Sequence, residues 1–190
     1  MKEFIKFVKF IKFVKLFSYS IILLILLSCG RSYPPQQQTP NTAEIERMKS
    51  ELLLQFNKEM IEEERKEIIE YVESQNWDMK TTESGLWYMI YGNGKGDRAI
   101  TGKKVTLEYT LSLMDNTICY SSAIYGPKTF IVGYGDVESG LQEGVMLMRA
   151  GDKARMILPA HLAHGLLGDG VCIPMRTIII YDVELLAISD

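Results

Sequence analysis

The apolar and polar positions of this chain fall into three regimes. From Met1 to Lys15, lysines punctuate a repeated unit, Phe4 to Lys9 and again Phe10 to Lys15; the chain then turns apolar from Leu16 to Leu27, uninterrupted over Ile21 to Leu27. From Asn41 to Gln75 there is no Gly or Pro, and Ile45, Met48, Leu52, Phe56 and Met60 recur at spacings of three and four. That is the period of one helix face. Ile61, Ile68 and Val72 continue the stripe with a drift, and charge dominates from Glu62 to Glu70. One long helix, or two broken near residue 60, is expected over 42–76, capped at Asn41 or Thr42.

Beyond Thr82 the period changes to two. Leu86 to Tyr91 reads as a first strand, followed by a loop holding Gly92, Gly94 and Gly96. Val105, Leu107, Tyr109 and Leu111 alternate with more polar neighbours, as a half-buried strand does. Asp115-Asn116 turns that strand and Thr117 to Ser121 returns it as a hairpin. Gly126-Pro127 breaks the chain before Thr129 to Val132. A short amphipathic helix near Leu141 to Met148 ends at Gly151-Asp152. In the next strand Ala154, Met156 and Leu158 alternate with Lys153, Arg155 and Ile157. After a loop bearing Pro159, Gly165, Gly168 and Gly170, the stretch Thr177 to Ile188 is nearly all apolar or β-branched, so at least one of its faces should be covered. The pattern predicts an α+β fold: a long N-terminal helix, then an antiparallel sheet of four to six strands curled around one short helix.

Charge alters this picture mainly at the N-terminus. The net charge of the chain is −3, but Lys2, Lys6, Lys9, Lys12 and Lys15 face only Glu3 in residues 1–28. The remainder is therefore more acidic than the average, which disfavours nucleic acid as a partner. A basic start and an apolar core too short for the roughly 20 residues of a membrane span describe a signal peptide over 1–28. Leu26-Leu27-Ser28-Cys29 resembles the bacterial lipobox, in which the cysteine thiol takes a diacylglycerol and becomes the first residue after cleavage. Lipidation at Cys29 would anchor the chain to a membrane of the bacterial envelope. Gly30, and not Asp, stands at the second position; by resemblance to better-understood bacterial lipoproteins this favours the outer membrane, and the body would face the periplasm. Residues 29–41, with three of the six prolines, read as a polar tether.

The ordered pieces Val105-Thr106-Leu107-Glu108-Tyr109, Ser121-Ser122, Gly140-Leu141-Gln142-Glu143-Gly144-Val145, Gly151-Asp152-Lys153-Ala154, Ile157-Leu158-Pro159, Ala163-His164-Gly165, Ile173-Pro174 and Tyr181 to Leu186 closely resemble the FKBP family of peptidyl-prolyl cis–trans isomerases over 84–190. The resemblance implies a curved sheet wrapped around a short helix, with proline-containing polypeptides as clients. It also implies catalysis without metal or cofactor. Its pocket wall would be Tyr109, Phe130, Val137, Ile173 and Tyr181, with Leu141 as floor where many members have Trp. The backbone N–H of Glu138 would donate to the substrate, and His164 takes the place of a ligand-binding Tyr. This chain departs from the family in having Cys119-Tyr120 for Phe-Asp, Glu138 for an aliphatic residue and Lys128 for an aromatic one. Losing the carboxylate at Tyr120 would weaken or narrow activity. The helix over 42–76 would be a dimerisation or client-binding arm, or simply pack on its own domain. Cys119 and Cys172 align to positions bordering the pocket, so they would form a disulfide or remain two buried thiols. His161 and His164 lie three apart without further ligands at metal-binding spacing. The order of lipobox, tether and isomerase-like domain resembles FKBP-type lipoproteins associated with gliding motility in the Bacteroidetes. Two readings stand: an isomerase assisting envelope-protein folding, or a non-catalytic binding module of the same shape.

Overall fold

A computed structural model describes residues 41–190. The signal peptide, Cys29 and the tether up to residue 40 lie outside the described residues. Residues up to Ser50 group apart from Glu51–Asp190, and the packing described below is that of the latter.

Helix α1 (Thr42–Ser74) is unbroken. The Asn41 carbonyl accepts the backbone N–H of Glu44 at 2.7 Å, which starts the helix. Its end is set by Asn76, which adopts φ 53°. With Asn76 in that left-handed position, the Trp77 N–H reaches the Val72 carbonyl and the Asn76 N–H reaches that of Glu73. This pair of bonds satisfies carbonyls that the helix leaves open. Trp77 then packs edge-on against Tyr71 at 5.6 Å. Only Ile68 and Val72 of the apolar stripe are buried; Leu52, Leu53, Leu54 and Phe56 are exposed.

The strands are β1 (Lys80–Thr81), β2 (Trp87–Ile90), β3 (Lys104–Leu113), β4 (Ile118–Ser121), β5 (Lys128–Ile131), β6 (Lys153–Leu158) and β7 (Ile179–Ser189). They form one antiparallel sheet of seven strands in the order β1-β2-β6-β7-β3-β4, with β5 also paired to β3. This exceeds the four to six expected, because the two-residue β1 carries no periodic signal. β3 pairs along its whole length with β7 on one side. On its other side it divides, Lys104–Leu107 meeting β5 and Thr110–Ser112 meeting β4. Two short helices, α2 (Ser122–Tyr125) and α3 (Ser139–Met146), and a 3₁₀ turn (Ala160–Leu162) complete the body.

Alternation along β6 and β7 sends two sets of side chains to opposite faces. Ala154, Met156, Leu158, Ile179, Tyr181, Val183 and Leu185 join the main core with α3. Ile157, Ile178 and Ile180 face the other way, under Ile68 and Val72 of α1. Ile157 falls by pattern among the polar positions of its strand, yet it is fully buried. The end of α1 covers this second face, which also accounts for the unbroken apolar run at the start of β7. Further along, the same face turns polar: Arg155 forks onto Asp182 at 2.7 and 3.0 Å and lies over the Trp77 ring at 4.2 Å.

Helix α3 sits against β6 by virtue of two glycines on one of its faces. A Cβ at Gly140 would lie 2.6 Å from Leu158 Cγ, and one at Gly144 would collide with the Met156 sulfur. The loop from Gly165 to Arg176 is held from the other side. Cys172 forms a disulfide with Cys119 of β4, with Cα atoms 5.5 Å apart. One residue on, the Tyr120 hydroxyl donates to Asp169 Oδ2. The other oxygen of Asp169 accepts the backbone N–H groups of Val171, Cys172 and Ile173 at 2.8–3.0 Å. Burial pushes the Asp169 carboxyl up, but the Tyr120 hydroxyl and those three N–H groups outweigh it and hold the carboxyl well below the usual carboxylate range.

Two outcomes follow from these contacts. Gly140→Ala should lower the unfolding free energy by about 1–3 kcal/mol from overpacking, despite a gain of up to about 1 kcal/mol in helix propensity; urea titration measures it, and an unchanged or raised midpoint contradicts the close approach. A depressed native pKa adds stability that is present above the unfolded value, about 3.9, and is lost as pH falls through the native one. The stability difference between the natural chain and Asp169→Asn should therefore be fully present at pH 7, begin to narrow only as pH falls below about 4, and keep narrowing toward the still lower native value, as denaturant titrations at pH 7 and at a series of pH values below about 4 would record.

Candidate functional site

Four elements bring the candidate residues together in the main core. β3 brings Tyr109, β5 brings Phe130, β7 brings Tyr181, and α3 with the turn before it brings Val137, Glu138 and Leu141. The pinned loop adds Ile173. Tyr109, Phe130, Leu141, Ile173 and Tyr181 are buried in the main core, and Val137, Cys119 and Tyr120 pack against it. The residues singled out by pattern and resemblance thus converge from positions far apart in sequence. Tyr181 is fully buried, and its ring lies 6.1 Å from that of Tyr109. Gln142 fixes the turn that leads into α3: its amide donates to the carbonyls of Tyr134 and Val137 and its oxygen accepts the Gly133 N–H.

Glu138 does more than offer its backbone. It stands at the N-cap of α3, and its side chain is only 8% exposed. Its Oε1 accepts the Tyr181 hydroxyl and His164 Nε2, each at 3.0 Å. Since a carboxylate only accepts, Nε2 carries the imidazole proton in this contact. Lys128 reaches in from β5. Its Nζ lies 3.9 Å from Glu138 Oε2 and 3.4 Å from the Tyr181 hydroxyl. It also lies over the rings of Tyr109 and Tyr181, at 5.1 and 5.8 Å. Burial, then the Glu138 charge and its hydrogen bond, push the Tyr181 phenol far up; burial and then Glu138 raise Tyr109 as well. Both hydroxyls stay protonated donors over the whole physiological range.

The structure gives Tyr120 a different role from the one implied by its place in the motif. Its hydroxyl engages Asp169 and its ring meets Tyr125 at 5.8 Å. The hydrogen bond to Asp169 first, and then burial, push its phenol up to about 12. Asp169 itself is not singled out by sequence, although Gly168-Asp169-Gly170 is a turn signature that suits an Asp bonding backbone two residues on. Gln142 gives no signal beyond membership of a motif. The two histidines have separate partners: His161 Nε2 meets the Ser84 carbonyl at 2.9 Å while His164 meets Glu138.

A family model for the FKBP-type peptidyl-prolyl cis-trans isomerase matches residues 96–186. The FKBP-type peptidyl-prolyl cis-trans isomerase FkpA of Aeromonas hydrophila is 41% identical over 112 residues, 58% of this chain and 41% of that protein. A probable isomerase of the same type from Haemophilus influenzae is 35% identical, and the match spans 46% of it. The chain thus spans less than half the length of these two relatives. The FK506-binding protein of Neisseria meningitidis is 33% identical, with 51% of this chain matched to 90% of that protein. Among solved structures, AtFKBP13 superposes with a TM-score of 0.56 at 27% identity, covering 58% of this chain and 98% of that one. The crystal structure of FkpA from Escherichia coli gives 0.57 over 80% of this chain and 74% of that one; at 24% identity it speaks for the fold alone. The chain belongs to the FKBP-type peptidyl-prolyl cis-trans isomerase family.

Proposed function

We propose that the chain is a peptidyl-prolyl isomerase of the bacterial envelope, acting on proline-containing polypeptides and tethered through a lipid on Cys29. The observation that supports it most is the convergence of Tyr109, Phe130, Leu141, Ile173 and Tyr181 in one core cluster, which this reading takes as the wall of a hollow for the proline ring. Rotation about a peptide bond faces a barrier of roughly 18–20 kcal/mol from resonance, and Xaa-Pro bonds exchange over tens to hundreds of seconds. Speeding it requires no nucleophile. An apolar wall that strips water from the carbonyl disfavours the planar, charge-separated form, and a fixed donor can hold the twisted one. In this reading the Glu138 N–H is the donor, since the Nε2–H of His164 is engaged by Glu138 Oε1, and Val137 and Ile173 flank the proline ring. No described helix is long and apolar enough to cross a membrane, so attachment in this reading rests on the lipid. The outer membrane and a role in folding gliding-motility components rest on the lipobox, the tether and their order before the isomerase domain.

A second reading is favoured by one specific feature. The Glu138 carboxylate and the Lys128 ammonium set a charged pair against Tyr181 and Tyr109, two of the residues that the isomerase reading assigns to the proline wall. On that ground the chain is a binding module, with the exposed Leu52, Leu53 and Phe56 of α1 as a further client or dimer surface.

Exchange NMR on Xaa-Pro peptides with the full chain in mild detergent decides between them. The isomerase reading expects acceleration of cis–trans exchange, and a loss of about tenfold in kcat/KM for Ile173→Ala, whose fold is checked by circular dichroism. Saturable peptide binding with no acceleration establishes the binding module instead. The anchor has its own readout. Mass spectrometry of membrane-extracted protein should find residues 1–28 removed and acyl mass on Cys29, with Cys29→Ser unprocessed; an unmodified Cys29 defeats it.

A further inference from the structure

Glu138 Oε2 is a buried side-chain oxygen without a hydrogen bond among the described residues. A carboxylate out of water is costly unless its oxygens are paired and hydrogen-bonded. Oε1 has two donors, while Oε2 has only the Lys128 ammonium at 3.9 Å, a contact of charge without a hydrogen bond. That ammonium lies 5.1 Å from the Tyr109 ring centroid, within the roughly 6 Å at which a cation is attracted by a ring, and donates to the Tyr181 hydroxyl at 3.4 Å. An aromatic ring, a phenol oxygen and an unsatisfied carboxylate make a receptor for a cationic head group. Lys128, whose side chain is 27% exposed at the end of a long flexible stem, is its internal occupant.

We infer that this receptor sets client choice: the hollow selects proline-containing segments with a Lys or Arg next to the proline. The client's cation takes the place of Lys128 between Glu138 Oε2, the Tyr109 ring and the Tyr181 hydroxyl. This rests on the reading of the hollow as the proline site and names the substrate class it takes. Charge decides the ranking. Exchanging one cation for another leaves the buried carboxylate paired, and Lys128 is free to move into water. A client Arg or Lys can approach Oε2 to hydrogen-bonding distance, which Lys128 does not. An apolar residue that pushes Lys128 out strands the carboxylate, and an acidic one sets a second negative charge beside it.

Peptides Ala-Xaa-Pro-Phe with Xaa as Arg, Lys, Leu, Gln or Glu, titrated into the full chain in mild detergent, test this by fluorescence for binding and by exchange NMR for rate. Arg and Lys peptides should bind at least about fivefold tighter than Leu or Gln peptides, with Glu weakest. Lys128→Met, which empties the receptor and keeps the stem, should widen that ratio. Glu138→Gln should bring it to about one. Equal binding of the Arg and Leu peptides, a preference that survives Glu138→Gln, or no binding of any peptide to either the natural chain or Lys128→Met overturns the inference. The ranking without rate acceleration upholds the receptor and defeats the isomerase; acceleration without the ranking does the reverse.

Discussion

The arrangement of the hollow is governed by one buried carboxylate. Glu138 sits where the chain turns into α3, on the inside of a strongly curved sheet, with almost no access to water. Every neighbour that meets it is polar at the point of contact and apolar elsewhere. Tyr181 gives a hydroxyl from a fully buried ring, His164 gives an N–H from the loop, and Lys128 gives charge from an edge of the sheet. Leaving any of these out would leave the carboxylate uncompensated, a loss of several kcal/mol in a fold whose net stability is about 5–15 kcal/mol. The residues at positions 128, 138 and 164 are thus coupled in the fold. A carboxylate at 138 requires donors facing it, and His164 and Lys128 supply them.

The position of that carboxylate depends in turn on how closely α3 lies on β6 and how firmly the facing loop is held. Gly140 and Gly144 let the helix approach until Leu158 and Met156 fill the space their side chains would have taken. The loop is tied to β4 at two successive residues, by a covalent bond at Cys119 and by the phenol of Tyr120. In sequence the Cys119-Tyr120 pair reads as a loss. In the fold it holds the stretch that carries Ile173 against the hollow. Asp169 links the two, since it accepts the phenol on one oxygen and the loop backbone on the other.

Much of this is legible in the order of residues, for reasons that are local. Alternation at Val105, Leu107, Tyr109 and Leu111 marks β3 because one face of that strand is wet and the other dry. The long helix is visible because no Gly or Pro interrupts it, and its end comes two residues before the expected boundary because Asn76 adopts a backbone that a helix cannot continue through. What escapes depends on covers supplied from elsewhere in the chain. Ile157 cannot be told from a solvent-facing residue without knowing that Ile68 and Val72 lie over it. The wall residues, like Glu138, His164 and Lys128, are singled out only through the resemblance to the FKBP family, which gives Glu138 a backbone role and says nothing of what its carboxylate meets. Those contacts depend on the fold, which brings His164 from a loop and Lys128 from a strand within about 4 Å of that carboxylate.

Curvature also explains why one scaffold can serve as an enzyme or a receptor with few changes. On the proposed reading, the side chains at positions 128 and 138 decide whether the proline site is presented dry or charged. An apolar pair there would leave a hollow that rewards any ring able to shed water. The ion pair found here makes admission conditional, because whatever enters must either displace Lys128 or satisfy Glu138 Oε2 in its place. On the proposed reading, client specificity is a matter of electrostatic replacement more than of shape, since a cation that substitutes for Lys128 conserves the charge balance on which the buried carboxylate depends.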